Sequence, residues 1–180
     1  MAVGRLVPVR DFRRLVGIWA KVLDKVPDAE LVIVGEGYER PLIEAEVARL
    51  GVSGSVRLPG RISDAELLDL YRRSWAATSV SVREGWGMTL TEAAACGTPA
   101  VATDIAGHAD AVVKDRSGLL ADHDDDLAAA LVSVLTDSVL RNRLESGALQ
   151  RAGELTWQHA ALANFEVLAA DARARAGRRQ

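Results

Sequence analysis

Short apolar runs alternate with longer segments of helical periodicity along this chain of 180 residues. The runs are rich in β-branched residues and only a few residues long, which is typical of strands. The longer segments repeat apolar residues every three or four positions, as in the helix predicted over residues 11–25. This alternation predicts an α/β domain, in which helices cover a parallel sheet. The predicted strands are residues 2–3, 31–34, 56–58, 76–80, 99–102 and 118–120, and further helices are predicted over 41–50 and 63–71, as a short turn near Gly107, and from about Asp125, Ser138 and Trp157.

Two polar clusters are interpreted as helix starts. Residues 63–66 read Ser-Asp-Ala-Glu, and a serine followed three positions later by a glutamate is the pattern of a capping box. Four aspartates surround His123 just before the apolar run that begins at Leu127, and acidic side chains are favourable at a helix start. The histidine could suggest a metal ligand, but no spacing in the sequence matches a closed zinc site. We therefore predict no metal site.

Composition narrows the class of protein. Apolar residues make up 49 % of the chain, and 180 residues are enough for one domain with a substantial core. A net charge of −3 argues against a general nucleic-acid binder. The single cysteine, Cys96, excludes an intramolecular disulfide and is interpreted as a small packing residue. No apolar run approaches the roughly 18 residues of a membrane helix, so we expect a soluble protein in a reducing cytoplasm.

The stretch with the most candidate chemistry reads Ser-Val-Ser-Val-Arg-Glu-Gly-Trp-Gly-Met-Thr-Leu-Thr-Glu-Ala-Ala-Ala-Cys-Gly-Thr-Pro. Its first glutamate, Glu84, precedes a Gly-x-Gly loop, and Glu92 follows eight positions later. If a helix begins near Met88, Glu92 lies in its first turn while Glu84 stays in the loop. Gly85 and Gly87 allow the backbone to approach a ligand, and the free amides of a helix start favour a phosphate. The stretch therefore predicts an anion site with one carboxylate on each side.

This stretch resembles the signature Glu-Gly-(Phe/Trp)-Gly-(Leu/Met)-x-x-x-Glu-Ala-x-Ala-x-Gly-x-Pro of the retaining, nucleotide-sugar-dependent glycosyltransferases called GT4. The likeness covers nearly the whole chain, from Val3 to about Ala169. It implies a Rossmann-like parallel sheet sandwiched by helices, which forms one half of the two-domain GT-B fold. In such a sheet ligands bind outside the carboxyl ends of the strands. The resemblance also implies a nucleotide-diphosphate sugar as donor substrate, with no metal and no cofactor.

The resemblance implies a role for each polar group of the signature. Glu84 would hold hydroxyls of the transferred sugar and stabilise charge that develops near its anomeric carbon. The backbone amides near Gly87, Met88 and Thr89 would face the diphosphate. Glu92 would accept hydrogen bonds from the ribose hydroxyls, because an acceptor-only carboxylate suits a vicinal diol.

A second segment, Gly-Arg-Leu-Val-Pro-Val-Arg from Gly4 onward, follows the first predicted strand. It resembles the family segment Gly-Arg-Leu-x-Pro-x-Lys-Gly, whose two cations hold the donor diphosphate. Arg5 and Arg10 would therefore neutralise the diphosphate as it leaves. Arg10 replaces the usual lysine and presents a planar fork instead of a compact ammonium group. Asp11 replaces the usual glycine and adds a negative charge beside it.

Two further loops supply candidates for nucleotide contacts. Gly35 and Gly37 follow the second predicted strand, but Arg40 stands where a dinucleotide fingerprint would need its third glycine. The two glycines are minor candidates, because a simple strand-to-helix turn explains them equally well. Arg61 and Ile62, after Gly60, occupy the position where the family's backbone recognises the base. That recognition leaves the side chains free to vary, so neither residue indicates which base is bound.

One histidine lies in a candidate loop. Residues 103–110 follow a predicted strand and resemble the family loop that carries a Gly-His or Gly-Gly pair near the cleft. A lone histidine is more often a cap or a surface residue than a ligand. The sequence therefore leaves open whether His108 touches a ligand.

The chain reads as one domain over residues 1–180, which ends in a terminal helix and basic tail over 157–180. The resemblance implies that it is the carboxy-terminal, nucleotide-sugar-binding half of an enzyme whose amino-terminal acceptor domain is absent. The apolar face of the terminal helix would then contact the missing domain or pair with a second copy of the chain. The tail is interpreted as a solvated end, with contact to anionic lipid at the inner membrane surface as the alternative. Its arginines are Arg173, Arg175, Arg178 and Arg179.

These inferences predict the donor-binding domain of a retaining glycosyltransferase, which moves a hexosyl group from a nucleotide-diphosphate sugar to an acceptor hydroxyl. Without the other half, the chain is predicted to lack turnover. The alternative is a stand-alone nucleotide-sugar-binding or regulatory module without catalysis. A sugar-nucleotide epimerase is disfavoured by the two glutamates and the early arginine pair, and an oxidoreductase by the incomplete glycine fingerprint.

Overall fold

The computed structural model describes residues 1–177. Six short strands alternate with helices over this range, in the order that the sequence predicts. The bounds differ from the predicted ones by one or two residues, mostly because strands and helices end at neighbouring turns. The strands are β1 Ala2–Val3, β2 Leu31–Val34, β3 Val56–Gly60, β4 Ala77–Ser79, β5 Ala100–Thr103 and β6 Gly118–Ala121.

The strands form two parallel three-stranded sheets, with the orders β3-β2-β1 and β4-β5-β6. The two sheets meet at Met1, whose α-amino group donates to the Ala76 carbonyl at 2.9 Å and whose carbonyl accepts from the Thr78 amide at 2.8 Å. The sequence predicts one sheet, and the structure divides it because the two-residue β1 meets β4 at Met1 rather than along a ladder. The combined order 3-2-1-4-5-6 is that of a Rossmann fold, whose topological switch lies between β1 and β4.

The helices pack around the sheets in a nearly regular alternation with the strands. A 3-10 turn over Pro8–Arg10, which the sequence does not predict, precedes the first helix. The helices are α1 Phe12–Leu23, α2 Arg40–Arg49, α3 Asp64–Arg73, α4 Met88–Ala95, α5 Ala106–Ala111, α6 Asp124–Thr136, α7 Ser138–Glu154 and α8 Trp157–Gly177.

Two apolar clusters stabilise this arrangement. The larger cluster joins β1 and β2 to α1, α2 and α6, and it contains the predicted apolar face of α1. The smaller cluster lies around β4 and β5 and includes Tyr71 from α3 and Leu90 and Ala93 from α4. Removing these side chains from water is the main favourable term in folding. The buried face of α1 comprises Phe12, Leu15, Val16, Ile18, Trp19 and Val22.

Both predicted helix starts are confirmed. The Ser63 hydroxyl accepts from the Glu66 amide at 3.3 Å, and the Glu66 carboxylate accepts from the Ser63 amide at 2.8 Å, which completes a capping box. The acidic cluster opens α6, where Asp124 accepts from Arg14 at 2.7 Å and Asp125 from Lys21 at 2.6 Å. The aspartates therefore link α6 to α1 as well as favouring the helix start.

The interpretation that placed Glu92 in the first turn of its helix is wrong. The amide of Gly87 donates to the Gly107 carbonyl, and the Met88 amide turns back to the Trp86 carbonyl, so helical bonding starts at Met88. Glu92 is consequently the fifth residue of α4 and belongs to its second turn. At 3.6 residues per turn, it lies on the same side of the helix as Met88.

Candidate active site

An ion pair marks the topological switch between β1 and β4. Arg10, on the loop after β1, contacts the Glu84 carboxylate, on the loop after β4, through its Nη1 atom. The side chains are 25 % and 12 % exposed, so the pair is shielded but still open to solvent. The amide of Val82 donates to the Val9 carbonyl at 2.9 Å, which joins the same two loops through their backbones. The switch point of a parallel α/β sheet is where ligands bind in this class of fold.

Arg10 lies close to a second cation. Burial lowers the pKa of the Arg10 guanidinium, and the charge of Arg5 lowers it further, which places the two arginines in the same electrostatic environment. Arg5 is exposed. Arg10 remains protonated because a guanidinium titrates far above neutral pH. Arg5 therefore acts electrostatically on the arginine that is paired with Glu84.

Asp11 has a structural role that its charge does not indicate. Its φ of 49° is in the left-handed region, and its side chain accepts from the Arg14 amide at the start of α1. Aspartate tolerates this conformation better than most residues, because its short side chain can bond locally. The backbone at this position consequently adopts a conformation that glycine also favours, while Asp11 supplies an N-cap.

A chain of hydrogen bonds holds the Glu84 loop against the end of β5. The Ser81 hydroxyl donates to Glu84 at 3.3 Å, and the Thr103 hydroxyl donates to the Ser81 carbonyl at 3.2 Å. The Nδ1 atom of His108 lies 2.9 Å from the Thr103 carbonyl, which makes Nδ1 the protonated nitrogen. His108 is thus connected to Glu84 through Thr103 and Ser81.

His108 is fully buried, and its Nε2 atom has no hydrogen-bond partner among the described residues. Burial lowers the pKa of this imidazole, and the positive charge of Arg10 lowers it further, although the hydrogen bond to Thr103 acts in the opposite direction. A neutral ring leaves Nε2 as an unpaired acceptor beside the loop. His108 is therefore not the surface residue that a lone histidine more often is.

Close backbone contacts fix the rest of the loop. A Cβ atom on Gly107 would lie 2.3 Å from the Glu84 carbonyl oxygen, so only glycine permits α5 to pack against Glu84. A Cβ on Gly87 would lie 3.3 Å from Ala111 and 3.4 Å from His108. Gly87 thus packs closely against α5, although less tightly than Gly107 does against Glu84. Its amide donates to the Gly107 carbonyl at 3.0 Å, and the Met88 amide donates to that of Trp86 at 2.9 Å, so neither is free to face a diphosphate in this structure.

Glu92 is exposed, and its Oε2 atom accepts a hydrogen bond from the hydroxyl of Tyr71 at 3.0 Å. Tyr71 belongs to α3 and is only 3 % exposed. Burial and the neighbouring Glu92 raise the pKa of the Tyr71 hydroxyl, so it remains a donor at neutral pH. The buried Tyr71 therefore orients the Glu92 carboxylate, to which the family resemblance gives a ribose contact.

Gly35 and Gly37 are required for backbone packing. A Cβ on Gly35, whose φ is 139°, would lie 1.9 Å from the Gly4 carbonyl oxygen, and a Cβ on Gly37 would lie 2.2 Å from that of Leu6. The amide of Gly4 donates to Val34 at 3.0 Å. The loops after β1 and β2 are thus pressed together at the carboxyl edge of the sheet. These contacts support the simple-turn explanation, and nucleotide contact by the two glycines stays a prediction.

The loop after β3 lies beside this edge. The Gly60 carbonyl accepts from the Gly35 amide at 2.9 Å, which connects the loop to the one after β2. Arg61 is exposed and Ile62 is half-buried, and recognition of a base by this backbone stays a prediction. Arg40 donates to the Leu58 carbonyl at 2.7 Å and pairs with Glu36, so it stabilises β3 where a third glycine would stand.

The remaining signature residues surround the start of α4. Gly85 and Met88 are exposed, and Thr89 is half-buried. The first amides of a helix have no intrahelical partner, and they point away from the helix start. The amide of Thr89 has no acceptor among residues 1–177. This leaves at least one donor available to an anion next to the Glu84 loop.

Other parts of the chain bear on the sequence-based expectations. Within the described range, no three or more histidine, cysteine, aspartate or glutamate side chains gather as a metal site. None of the helices over residues 1–177 combines the length and apolar character that a membrane crossing requires. In the basic tail, Arg175 pairs with Asp171 at 2.8 Å, and Arg178 and Arg179 lie outside the described residues.

A groove of about 450 Å³ lies at the opposite, amino-terminal edge of the strands. Its lining includes Leu31 at the start of β2, together with Trp75 and Ala76 just before β4. The Arg141 guanidinium stacks over Trp75 at 4.0 Å from the ring centre. Because this groove faces away from the ends of the strands that carry Arg10 and Glu84, it is not part of the candidate site.

Sequence reasoning missed three residues that organise the site. Ser81 and Thr103 position the Glu84 loop, and Tyr71 holds Glu92. Serine and threonine next to a strand end are too common to indicate a role. A tyrosine in the last turns of an amphipathic helix indicates burial, but the partner of its hydroxyl lies 21 residues away and becomes visible only in the fold.

The strand order and the likeness to solved structures define the class of fold: this is a Rossmann-like domain of the kind that forms one half of the GT-B fold. More particularly, the chain belongs to the family described as glycosyl transferases group 1, whose family model matches residues 1–151. Solved structures with this fold include TarM of S. aureus, in complex with fondaparinux, alpha-GlcNAc-glycerol and UDP. It is 23 % identical with a TM-score of 0.84, and the alignment covers 93 % of this chain and 34 % of TarM.

Curated relatives agree with the family. The D-inositol 3-phosphate glycosyltransferase of Corynebacterium urealyticum is 33 % identical over 168 residues, which cover 88 % of this chain and 40 % of that protein. The glycogen synthase of Mycobacterium tuberculosis strain H37Rv is 33 % identical over 181 residues, which cover 99 % of this chain and 43 % of that protein. The chain therefore spans about two fifths of the length of these relatives.

Proposed function

We propose that this chain is the donor-binding domain of a retaining glycosyltransferase, which transfers a hexosyl group from a nucleotide-diphosphate sugar to an acceptor hydroxyl. The observation that carries the proposal is the pair formed by Arg10 and Glu84 at the topological switch. It brings a cation for a diphosphate and a carboxylate for a sugar to one point of the sheet edge. The positive charge suits the diphosphate and the negative charge suits the sugar, which are the two groups joined by the bond that breaks in such a donor.

The proposed roles follow from the charges of the site. Arg5 and Arg10 bind the diphosphate and neutralise it as it leaves, and the Thr89 amide at the start of α4 adds a hydrogen-bond donor. Glu84 accepts from the sugar hydroxyls and stabilises positive charge near the anomeric carbon. Because protein cations supply the neutralisation, the proposed reaction needs no metal ion.

The names of similar proteins guide the choice of ligand. TarM is described in complex with UDP, and the curated relatives are a D-inositol 3-phosphate glycosyltransferase and a glycogen synthase. The two curated names describe enzymes that move sugars, although the acceptors differ. UDP is consequently the first nucleotide to test, and the acceptor site is proposed to lie in the part of the relatives that this chain does not cover.

The direct test is calorimetric titration of the purified chain with UDP, GDP and ADP. We expect one of the three to bind, and Glu92→Ala to weaken that binding by about 1–3 kcal/mol because a ribose contact is lost. Glu166→Ala, at an exposed position on α8, is the matched control. Absence of binding to all three nucleotides would contradict the proposal.

The chain alone is proposed to lack transferase turnover, because it would not supply the acceptor site. Incubation with nucleotide sugars and candidate acceptors, followed by measurement of released nucleoside diphosphate, tests this point. Full turnover by the chain would show that the acceptor site is formed within residues 1–180.

A further inference from the structure

Tyr71 connects the core to the surface beside the candidate site. Its ring packs in the smaller apolar cluster with Leu90 and Ala93 of α4, and the residue is 3 % exposed. Its backbone carbonyl accepts from the Thr98 hydroxyl at 2.5 Å, in the turn that follows α4. Ring and backbone are therefore both anchored to the segment that carries the signature. The hydroxyl is the part of this residue that reaches Glu92.

Glu92 depends on this hydroxyl for its orientation. Oε2 accepts from Tyr71 at 3.0 Å, and no second hydrogen bond or ion pair to Glu92 is formed among residues 1–177. An exposed glutamate without a partner would populate several rotamers. Binding a ligand would restrict it to one of them, at a cost in conformational entropy. Fixing one oxygen leaves Oε1 free to accept from a ligand hydroxyl, while Oε2 keeps an open lone pair.

The chemistry of the Tyr71 hydroxyl suits a lasting hydrogen bond to Glu92. Burial and the charge of Glu92 raise the pKa of the Tyr71 hydroxyl, so it stays protonated and keeps donating to the carboxylate. A buried phenol has few rotatable bonds, and its position is fixed by the surrounding apolar side chains. The carboxylate consequently presents its free oxygen in a defined direction before any ligand arrives.

We propose that Tyr71 is a positioning residue, which orients Glu92 so that its carboxylate binds the ribose diol of the nucleotide. This inference rests on the proposed function, because it assigns a supporting residue to the same nucleotide site. It predicts that the contribution of Tyr71 to binding acts through Glu92 and through the ribose hydroxyls, and not through the diphosphate.

The test uses Tyr71→Phe in the full chain, since this change removes only the hydroxyl. Binding is measured by calorimetry for UDP, GDP or ADP, whichever binds the wild-type chain most tightly, and for its 2′,3′-dideoxy analogue. We expect the affinity of Tyr71→Phe for the ribonucleotide to fall about 3- to 10-fold. Its affinity for the dideoxy analogue should equal that of the wild-type chain.

A double-mutant cycle tests the route of the effect. If Tyr71 acts through Glu92, adding Tyr71→Phe to Glu92→Ala causes no further loss of ribonucleotide affinity. Glu92→Asp supplies a second approach at an exposed position, because the shorter side chain withdraws from Tyr71 but keeps its charge. We expect it to lose affinity for the ribonucleotide as well. Tyr38→Phe, at the other tyrosine of the chain, is the matched control, since Tyr38 is 75 % exposed.

Different results would separate this inference from the proposed function. Unchanged ribonucleotide affinity in Tyr71→Phe, an equal loss for the dideoxy analogue, or an additive loss in the double variant would each overturn the positioning role while leaving the function intact. If the wild-type chain binds none of the three nucleotides, the proposed function fails and this inference fails with it. Thermal unfolding of each variant shows whether the fold is retained.

Discussion

At the scale of a single residue, Arg10 can serve two purposes at the same site. Its Nη1 atom is bound to Glu84 and lies 3.5 Å from the Ser81 hydroxyl. The other guanidinium nitrogens have no partner among residues 1–177, so the same side chain can hold the carboxylate and still donate to a phosphate. A lysine has a single nitrogen and no such fork. Arginine at position 10 is therefore better suited than lysine to pair with Glu84 and still donate to a phosphate.

Replacing this arginine tests the charge of the site. We expect Arg10→Met to weaken binding of the nucleoside diphosphate about 10- to 100-fold, because a charge-assisted hydrogen bond to phosphate is lost. Calorimetric titration measures the change. Arg13→Met is the control, because Arg13 is exposed on the neighbouring turn of α1. Equal affinities of both variants and the wild-type chain would remove Arg10 from its proposed role.

His108 predicts a pH dependence of stability. Burial lowers the pKa of His108 below the ordinary value of 6.5. Just below pH 6.5, the imidazole therefore binds a proton more readily in the unfolded chain than in the folded chain. The stability that comes from the neutral ring is complete above pH 6.5 and is lost progressively as the pH falls below that value. We expect His108→Gln to unfold with a flatter pH dependence below about pH 6.5.

Urea unfolding at several pH values measures this dependence. The α-amino group of Met1, whose pKa burial lowers to about 5, contributes in the same direction in every variant, so differences between variants isolate His108. His123→Gln, at an exposed position, is the control and should keep the wild-type slope. If the stability of His108→Gln changed with pH as steeply as that of the wild-type chain, the His108 ring would not resist protonation in the folded state.

At the scale of elements, the site depends on how α5 packs on the Glu84 loop. Gly107 lies against the backbone of Glu84, and its carbonyl accepts from Gly87 at 3.0 Å. A six-residue helix has little stability of its own, so these tertiary contacts hold it in place. Loop and helix therefore form one unit, although 20 residues separate Gly87 from Gly107 in the chain.

A methyl group at this contact should separate the two elements. We expect Gly107→Ala to destabilise the fold by about 1–3 kcal/mol, because the new Cβ would overlap the Glu84 carbonyl. Nucleotide affinity should fall as well, since the overlap moves the Glu84 loop. Chemical denaturation and calorimetry provide the two measurements.

The matched control is Gly17→Ala in α1, where a Cβ meets no atom within 4 Å. Alanine is a better helix former than glycine, so we expect this variant to be about 0.5–1 kcal/mol more stable than the wild-type chain. A Gly107→Ala variant as stable as Gly17→Ala would show that the contact at Glu84 relaxes without cost.

At the scale of the whole molecule, α8 stands apart from the core. Its large apolar side chains are strongly exposed, with Trp157 at 90 % and Phe165 at 67 %. Contiguous exposed apolar side chains of this kind are typical of an interaction surface. The contact of these side chains with another domain or with a second copy of the chain stays a prediction.

Shortening the chain tests this separation. We expect a chain that ends at residue 156 to unfold cooperatively, with a free energy of unfolding within about 1 kcal/mol of the full chain, because α8 buries little apolar surface. Urea unfolding monitored by circular dichroism measures it. Nucleotide affinity should be unchanged, since the site lies on the loops after β1 to β5. A loss of cooperative unfolding would show that α8 stabilises the core.

Much of the fold could be predicted because its pattern is local. The strand 31–34 is a continuous apolar run and the buried face of α1 repeats at helical spacing, so both follow from neighbouring residues. The start of α4 also agrees with the sequence, which predicts a helix from about Met88. Glu92 was assigned to the wrong turn, because the fifth residue of a helix with 3.6 residues per turn already belongs to the second turn.

By itself, the sequence determined the order of strands and helices, the candidate loops and the charges that those loops carry. Periodicity and residue type act over a few positions, and they are sufficient for such features. Only the tertiary structure decided that Arg10 meets Glu84, that His108 supports this pair through Thr103 and that Tyr71 holds Glu92. Each of these contacts joins residues on different elements, and their geometry is set by how the sheet and helices pack.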